Sequence, residues 1–249
     1  MGFYLAVDTS TEACSVAVSI DGQARELFEP MQREHTQRVL PMIEALLTEV
    51  GKTLAQLDGI VCGIGPGSFA GLRVGVGVVK GIALARDLPV VGVSSLAMLS
   101  QRAMRRDNAP PPLAHGAAQV AAVIDARMSE VYVGAYRRSP SGLAAAVVAD
   151  RVCAAATAPT LPEGPWLGVG TGWGRYEAEL RRALAAEFSS VDSAALPHAE
   201  EALVLGLPEF AAGRAISGDV LAPAYLRDRV ALTLGEQEAL RKRRPAALK

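Results

Sequence analysis

Residues 59–86 of this chain, GIVCGIGPGSFAGLRVGVGVVKGIALAR, decide its fold. The apolar run at residues 60–64 has the length of a strand, and Gly65-Pro66-Gly67 ends it. Ser68 can then cap a helix by accepting a hydrogen bond from a backbone N–H group. The stretch therefore predicts a strand, a tight glycine turn and a helix.

The glycine turn by itself is a weak signal for phosphate binding. Free N–H groups at a helix N-terminus attract anions. The dinucleotide motif G-x-G-x-x-G would, however, need a glycine where this chain has Ala70, and no G-K-[ST] of a P-loop follows. The turn therefore does not identify a nucleotide site.

Four glycines interrupt the predicted helix in two pairs, Gly71 with Gly75 and Gly77 with Gly81. Each glycine inside a helix costs about 1 kcal/mol relative to alanine, so close packing against the helix backbone is expected as compensation. The spacing favours packing inside the chain's own core. The alternative is a helix face that docks a second subunit.

Composition indicates a globular chain without a strong charge. Of the 249 residues, 50% are hydrophobic and 20% are charged, and the net charge is −1. This gives no electrostatic case for direct binding of nucleic acid or of an anionic membrane. The N-terminus lacks the basic region of a signal peptide, so a cytoplasmic location is expected. Three widely spaced cysteines are predicted to be free thiols.

The predicted elements occur in the same order twice, on either side of a Pro-rich joint at residues 107–116. Asp8 and Asp125 each follow the first strand of their half. The predicted strands and helices lie at residues 3–7, 14–20, 23–28, 39–50, 60–64, 69–86 and 89–93 in the first half, and at 119–124, 130–136, 143–148, 166–169 and 176–188 in the second.

We expect four regions in the chain. The N-terminal lobe covers residues 1–106 and the C-terminal lobe covers residues 117–197. Residues 198–232 form a helix and a segment that pack back on the N-terminal lobe. Residues 233–249 form a basic tail, which is predicted to be helical from Leu234.

The duplicated pattern resembles the actin, Hsp70 and sugar-kinase superfamily, in which a nucleotide lies between two lobes. The resemblance implies an α/β, two-lobed actin-like ATPase (ribonuclease H-like) fold with duplicated βββαβα units. A more specific resemblance to the TsaB family, also called YeaZ, is carried in order over about residues 3–232 by LAVDTST at 5–11, GPGSFAGLRVG at 65–75, DAR at 125–127 before EVY at 130–132, and PAYLR at 223–227.

TsaB-like proteins are accessory subunits in the synthesis of threonylcarbamoyladenosine at position 37 of tRNA. The resemblance implies a non-catalytic subunit that binds and activates the transferase TsaD. It also implies the small ATPase TsaE as a further partner, contact with tRNA only through the complex, and a homodimer when the partner is absent. No membrane partner is expected.

The resemblance places the subunit interface on helices of the N-terminal lobe. We expect Gly75→Leu to abolish the complex while leaving the chain folded. The predicted interface residues are Gly71, Arg73, Gly75, Val76, Val79, Leu40 and Ile43.

A nucleotide site is predicted only as a weak alternative. Thr9 stands where the superfamily usually has glycine, which makes the loop after Asp8 fuller, and Arg127 can pair with Asp125. Structural roles are therefore favoured over independent ATP binding, while ATP or ADP with Mg²⁺ bound weakly or at a partner interface stays open. The candidate residues are Asp8, Thr9, Ser10, Asp125, Gly170 and Gly172.

No catalytic residue and no metal site are predicted. A TsaD-like metal site needs two histidines one helical turn apart, whereas His35, His115 and His198 lie far apart in the sequence. The sequence around Ser68 does not fit the G-x-S-x-G nucleophile elbow. The alternative function is a free-standing ATP-dependent enzyme of the same fold, either a kinase or peptidase-like.

Overall fold

The structure is a computed structural model, and it describes residues 2–105 and 118–227. The predicted basic tail and the whole Pro-rich joint, including His115, lie outside the described residues. Among the described helices, none combines the length and the hydrophobicity needed to cross a lipid bilayer.

Two mixed sheets form the framework. The first sheet has the strand order β11-β5-β4-β1-β2-β3 and the second has the order β10-β9-β6-β7-β8. The elements are β1 (Phe3–Thr11), β2 (Ala13–Ile20), β3 (Gln23–Pro30), α1 (His35–Glu49), β4 (Gly59–Gly65), α2 (Phe69–Arg86), β5 (Pro89–Ser94), α3 (Ser95–Met104), β6 (Gln119–Arg127), β7 (Glu130–Arg138), β8 (Ala144–Ala154), β9 (Pro165–Val169), α4 (Gly172–Leu184), β10 (Glu187–Asp192), α5 (Ala199–Ala211) and β11 (Ile216–Ser217).

The first lobe is built on a mixed sheet that joins antiparallel and parallel strands. β1 pairs antiparallel with β2 and parallel with β4, and β4 pairs parallel with β5. Helices α1 and α2 cover one face of this sheet, because their apolar stripes pack on the alternating inward residues of β1, β2 and β4. The α/β class is thereby confirmed.

Helices α3 and α5 each pack on the sheet formed by the other half of the chain. The predicted boundary at residue 106 assigned α3 to the first lobe, but Leu96, Leu99 and Ala103 of α3 pack against Val120 and Ala122 of β6. Helix α5 follows the second sheet in sequence and packs on the first, against β1, β2, β4 and β5. The two helices also contact each other, so the lobes share a continuous apolar connection on this side.

The duplication is less complete than predicted. Between β8 and β9 the chain forms only a short 3-10 turn, Ala155–Thr157, where a second βββαβα unit requires an α-helix. Pro159 and Pro162 follow this turn and disfavour a helix. Helix α4 begins earlier than expected and ends at Leu184. The following residue, Ala185, has a left-handed φ of 49° that stops the helix before Phe188 enters β10.

Helix α2 lies so close to β1 that two of its positions require glycine. A Cβ atom on Gly71 would lie 2.1 Å from the carbonyl oxygen of Thr9, and one on Gly75 would lie 2.4 Å from Thr9 Oγ1. Val76 and Val79 on the same side are also buried. These four residues were predicted to form the subunit interface, and this prediction is wrong because they pack inside the chain.

The opposite side of α2 is open. A Cβ atom on Gly77 or Gly81 would have no atom of the described chain within 4 Å beyond its chain neighbours and the adjacent backbone of α2, and Arg73 is exposed. On α1, Leu40 is exposed, whereas Ile43, also predicted at the interface, is buried in the core. The expectation that Gly75→Leu leaves the chain folded is corrected accordingly. A leucine there would disrupt the contact with Thr9, so the variant is expected to destabilise the fold.

Two matched substitutions test this orientation of α2. Gly71→Ala is expected to lower the free energy of unfolding by about 1–3 kcal/mol, because the backbone of β1 cannot move aside for the added methyl group. Gly81→Ala is expected to raise it by about 0.5–1 kcal/mol, because alanine restricts the unfolded chain and meets nothing in the folded one. Urea unfolding measures both changes. Effects of the same sign would contradict the orientation.

Candidate functional site

A cleft of about 570 Å³ opens between the two lobes. The end of β1, the loop before α1 and the start of α2 line it from the first lobe, and the end of β6 and Tyr132 line it from the second. Residues 224–227 close one side. Of the six residues predicted for a nucleotide site, Ser10 and Asp125 line this cleft.

Asp8 lies behind the cleft wall and is only 1% exposed. Its Oδ2 accepts hydrogen bonds from the N–H (3.3 Å) and the hydroxyl (3.0 Å) of Ser10, while Oδ1 faces Gly63 and has no hydrogen-bond partner in the described chain. Burial raises the pKa of Asp8 to about 7, although the hydrogen bonds from Ser10 oppose the shift. A side chain placed in this way does not reach a phosphate or a metal ion in the cleft.

The polar atoms of the next two residues are used in internal contacts. Thr9 Oγ1 donates to the carbonyl oxygen of Gly71 at 2.7 Å, which ties β1 to α2. Ser10 Oγ accepts from Ser95 Oγ at 2.8 Å, which ties β1 to the start of α3. The loop that would hold phosphate in an ATP-binding relative therefore acts as a junction between three elements.

Asp125 is paired with two arginines. Its Oδ1 accepts from the backbone N–H of Arg127 at 2.9 Å. Its Oδ2 lies 3.7 Å from Nη1 of Arg127 and 3.4 Å from Nη1 of Arg175. Arg127 also reaches Glu12 of the first lobe at 3.3 Å. The carboxylate that would face a bound nucleotide is therefore engaged with cations of the chain itself.

Gly170 and Gly172 form the turn between β9 and α4. A Cβ atom on Gly170 would lie 2.4 Å from the carbonyl oxygen of Val123, and one on Gly172 would lie 2.5 Å from Val123 Cγ1. Both glycines permit close packing on β6 and lie away from the cleft lining. The predicted residues therefore do not assemble a site that fits Mg²⁺ and ATP, and binding at a partner interface stays a prediction.

The described histidines serve structural contacts. Nε2 of His35 donates to the carbonyl oxygens of Thr11 and Ala13 at 2.9 and 3.2 Å. Nδ1 of His198 lies 2.7 Å from Glu26 Oε2, at the start of α5. Within residues 2–105 and 118–227, no cluster of three or more His, Cys, Asp or Glu side chains is placed to hold a metal ion.

Glu26 is a structural residue that the sequence analysis missed. Its carboxylate accepts from Ser15 Oγ at 2.8 Å and from the backbone N–H of Glu200 at 3.0 Å, besides its contact with His198. Burial raises its pKa, but the hydrogen bond and charge of His198 and the other donors outweigh burial, so the pKa lies below its usual value. Glu26 therefore anchors the N-terminus of α5 to the first sheet, and only the tertiary fold brings it there.

A second candidate surface lies on the outer side of α1 and α2. Leu40 and Leu84 are 54% and 57% exposed, and Gly77 and Gly81 leave the α2 backbone accessible. A groove of about 650 Å³ between the two helices is lined by Leu40, Leu47, Leu54 and Ile82 among others. We define the α1–α2 face as Leu40, Ala70, Arg73, Gly77, Gly81 and Leu84.

Two linked sheets with a cleft between them define this chain as an actin-like α/β protein. A family model described as TsaD, tRNA N6-adenosine threonylcarbamoyltransferase, matches residues 29–234. The tRNA threonylcarbamoyladenosine biosynthesis proteins TsaB of Escherichia coli K12 and Haemophilus influenzae are both 38% identical over 91% of this chain, covering 95% and 94% of their own lengths. The chain belongs to the TsaB family.

A solved structure agrees with this assignment. YeaZ from Pseudomonas aeruginosa is 41% identical and superposes with a TM-score of 0.81 over 91% of this chain and 100% of its own. The resemblance to the TsaB family and the actin-like fold class, both stated from the sequence, are therefore confirmed.

The buried carboxyl group of Asp8 predicts a specific pH dependence of stability. Because the pKa of Asp8 rises to about 7 on folding, its protonated form stabilises the folded chain at low pH. This contribution is complete below the usual pKa of an aspartate and is lost as the pH rises to about 7. Relative to Asp8→Asn, the native chain is expected to lose on the order of 3 kcal/mol between pH 4 and pH 8.

Urea unfolding of both proteins at several pH values measures this difference. The asparagine side chain of the variant would keep an acceptor for Ser10 but does not titrate, so contributions from other groups cancel in the comparison. If the difference in free energy of unfolding between the native chain and Asp8→Asn does not change with pH, the raised pKa of Asp8 is contradicted.

Proposed function

We propose that this chain is a non-catalytic subunit of the machinery that synthesises threonylcarbamoyladenosine in tRNA, and that it binds and activates the transferase TsaD. Its relatives carry the name of that biosynthesis, and the family model that it matches is the transferase itself. In this proposal the small ATPase TsaE joins the complex, and tRNA contacts this chain only through the complex.

The observation that carries the proposal is the α1–α2 face. Gly77 and Gly81 each lower helix stability by about 1 kcal/mol relative to alanine, and no contact within the described chain offsets that cost. Leu40 on α1 and Leu84 on α2 are also exposed. A partner helix can pack directly on the α2 backbone at the glycines and cover the exposed leucines, which gives the glycines and the exposed apolar surface one common purpose.

A non-catalytic role is supported by what the polar residues of the fold are doing. Asp8 and Thr9 are committed to contacts with Ser10 and Gly71, and Asp125 is paired with arginines. Ser68 Oγ accepts from the Gly71 N–H at 3.4 Å and so caps α2. The chemistry is therefore assigned to the partner, and this chain contributes a surface.

The docking surface is tested by enlarging its glycines. Gly77→Leu and Gly81→Leu are each expected to weaken binding of TsaD from the same genome by about 10- to 100-fold, because the added side chain separates the two backbones. Both positions are open in the free chain, so it stays folded. Isothermal titration calorimetry measures the affinity, and the rate of threonylcarbamoyladenosine formation is expected to fall in parallel.

Ala146→Leu is the matched control, because Ala146 is exposed on β8 of the second lobe. It is expected to bind TsaD like the native chain. Native affinity in both glycine variants would place the interface elsewhere. If sedimentation shows that the native chain alone forms a dimer and the glycine variants do not, the same face also serves self-association.

A further inference from the structure

The segment at residues 218–227, which we call the strap, runs along α2 and then crosses to the second lobe. Lys80 Nζ on α2 donates to the carbonyl oxygens of Asp219 and Leu221 at 2.8 and 3.1 Å. Leu221 is buried in the first core, and the N–H of Ala224 donates to the carbonyl oxygen of Ile64 at 2.8 Å. The first part of the strap is therefore fixed to the first lobe.

Arg227 attaches the end of the strap to the second lobe. Its Nη2 donates to the carbonyl oxygen of Ala126 at 2.9 Å and to Glu130 Oε2 at 2.5 Å. The side chain is only 19% exposed, so solvent screens this ion pair less than a surface pair. Arg227 also lines the cleft. The strap thus spans the opening between the lobes with a hydrogen-bonded contact at each end.

The side of the molecule away from the cleft is a buried connection between the lobes. There α3 contacts α5, and Arg105 pairs at 2.9 Å with the fully buried Glu201. Two lobes that are joined by buried contacts on one side and separated by a cleft on the other have the geometry of a hinge. The lobes can therefore separate at the cleft while the α3–α5 side stays closed.

Two ion pairs oppose such opening in the described part of the chain. Arg127 and Glu12 are 70% and 46% exposed, and exposed pairs of this kind contribute little. The pair between Arg227 and Glu130 is the more buried of the two and is supported by the hydrogen bond to Ala126. Arg227 is therefore the stronger of the two contacts that hold the cleft closed.

The strap also touches the α1–α2 face. Tyr225 OH accepts from Arg73 Nε at 3.3 Å, and its ring lies 5.6 Å from that of Phe69, over which the Arg73 guanidinium stacks at 3.8 Å. Arg73 belongs to the α1–α2 face, whereas the hydrogen bonds of Arg227 all go to the second lobe. One short segment thus contacts both the docking surface and the far lobe.

We propose that the strap is a latch that couples docking on the α1–α2 face to closure of the cleft. The docking half of this inference rests on the proposed function. In the closed state the strap holds Tyr225 against Arg73, and the partner binds that arrangement. Releasing Arg227 increases the fraction of molecules with an open cleft. Because only closed molecules bind the partner, the apparent affinity falls in proportion to the fraction that remains closed.

The test compares Arg227→Ala and Glu130→Ala with Arg214→Ala. Arg227→Ala removes the contacts with both Glu130 and Ala126, whereas Glu130→Ala removes only the ion pair. Arg214 forms an exposed ion pair with Glu209 just before the strap, so it is a control for the loss of a surface arginine pair. Spin labels at Gln32→Cys and Met128→Cys, both exposed beside the cleft, report the distance between the lobes. Cys153 is partly exposed and is replaced by serine so that it is not labelled, whereas Cys14 and Cys62 are buried and are kept.

Both latch variants are expected to shift the distance distribution to longer values and to weaken TsaD binding by about fivefold or more. The double variant is expected to do no more than Arg227→Ala alone, and Arg214→Ala is expected to match the native chain. Partner binding to the native chain is expected to narrow the distribution.

Three results would overturn parts of this inference. Unchanged distances in both variants would show that the strap is not a latch. Longer distances with unchanged affinity would refute the coupling and leave the docking proposal standing. Longer distances in the variants, with no binding of TsaD by the native chain, would refute the proposed function and the coupling while supporting the latch.

Discussion

The contact between α2 and the end of β1 determines the arrangement of the first lobe. The carbonyl oxygen and hydroxyl of Thr9 fit against Gly71 and Gly75, with the hydroxyl donating to the Gly71 carbonyl. A side chain at either glycine would push the helix off the sheet, so the helix can adopt only this rotation about its axis. Because Gly77 follows Gly71 by six residues, or about 240° around the helix, the rotation that buries the first pair turns the second pair outward. The internal contact thus creates the external face.

The same contact uses polar side chains of the segment where an ATP-binding relative would hold phosphate. Thr9 has its hydroxyl directed at α2, and Ser10 is bonded to both Asp8 and Ser95. A loop that binds phosphate needs free backbone N–H groups and small residues. Here those positions hold three elements together instead. Burial of the carboxyl group of Asp8 is unfavourable when it is ionised, and Ser10 satisfies only one of its oxygens. The site is therefore organised for packing, at some electrostatic cost.

Local patterns in the sequence identified the strands, α2 and the segments shared with the TsaB family, because period and turn chemistry are local properties. The prediction that Gly71 and Gly75, rather than Gly77 and Gly81, face a partner was wrong because it followed the family resemblance and not the apolar residues beside each pair. Leu72, Val76 and Val79 lie on the side of Gly71 and Gly75, and this apolar side was the available signal. The exchange of α3 and α5 between sheets depends on long-range packing, which no local pattern contains. The helix missing before β9 was foreseeable from Pro159 and Pro162.

Closure of a two-lobed protein requires a group that contacts both lobes. Where a ligand binds between lobes, the ligand supplies those contacts, and closure follows its concentration. In this chain the contacts come from the protein itself, through Arg227 on Glu130 and through Arg127 on Glu12. Their effective concentration is fixed by the strap and by the β6–β7 turn, so these contacts need no diffusible ligand in order to form. A cleft held in this way suits the proposed docking role, because the chain itself favours the closed state that the partner binds.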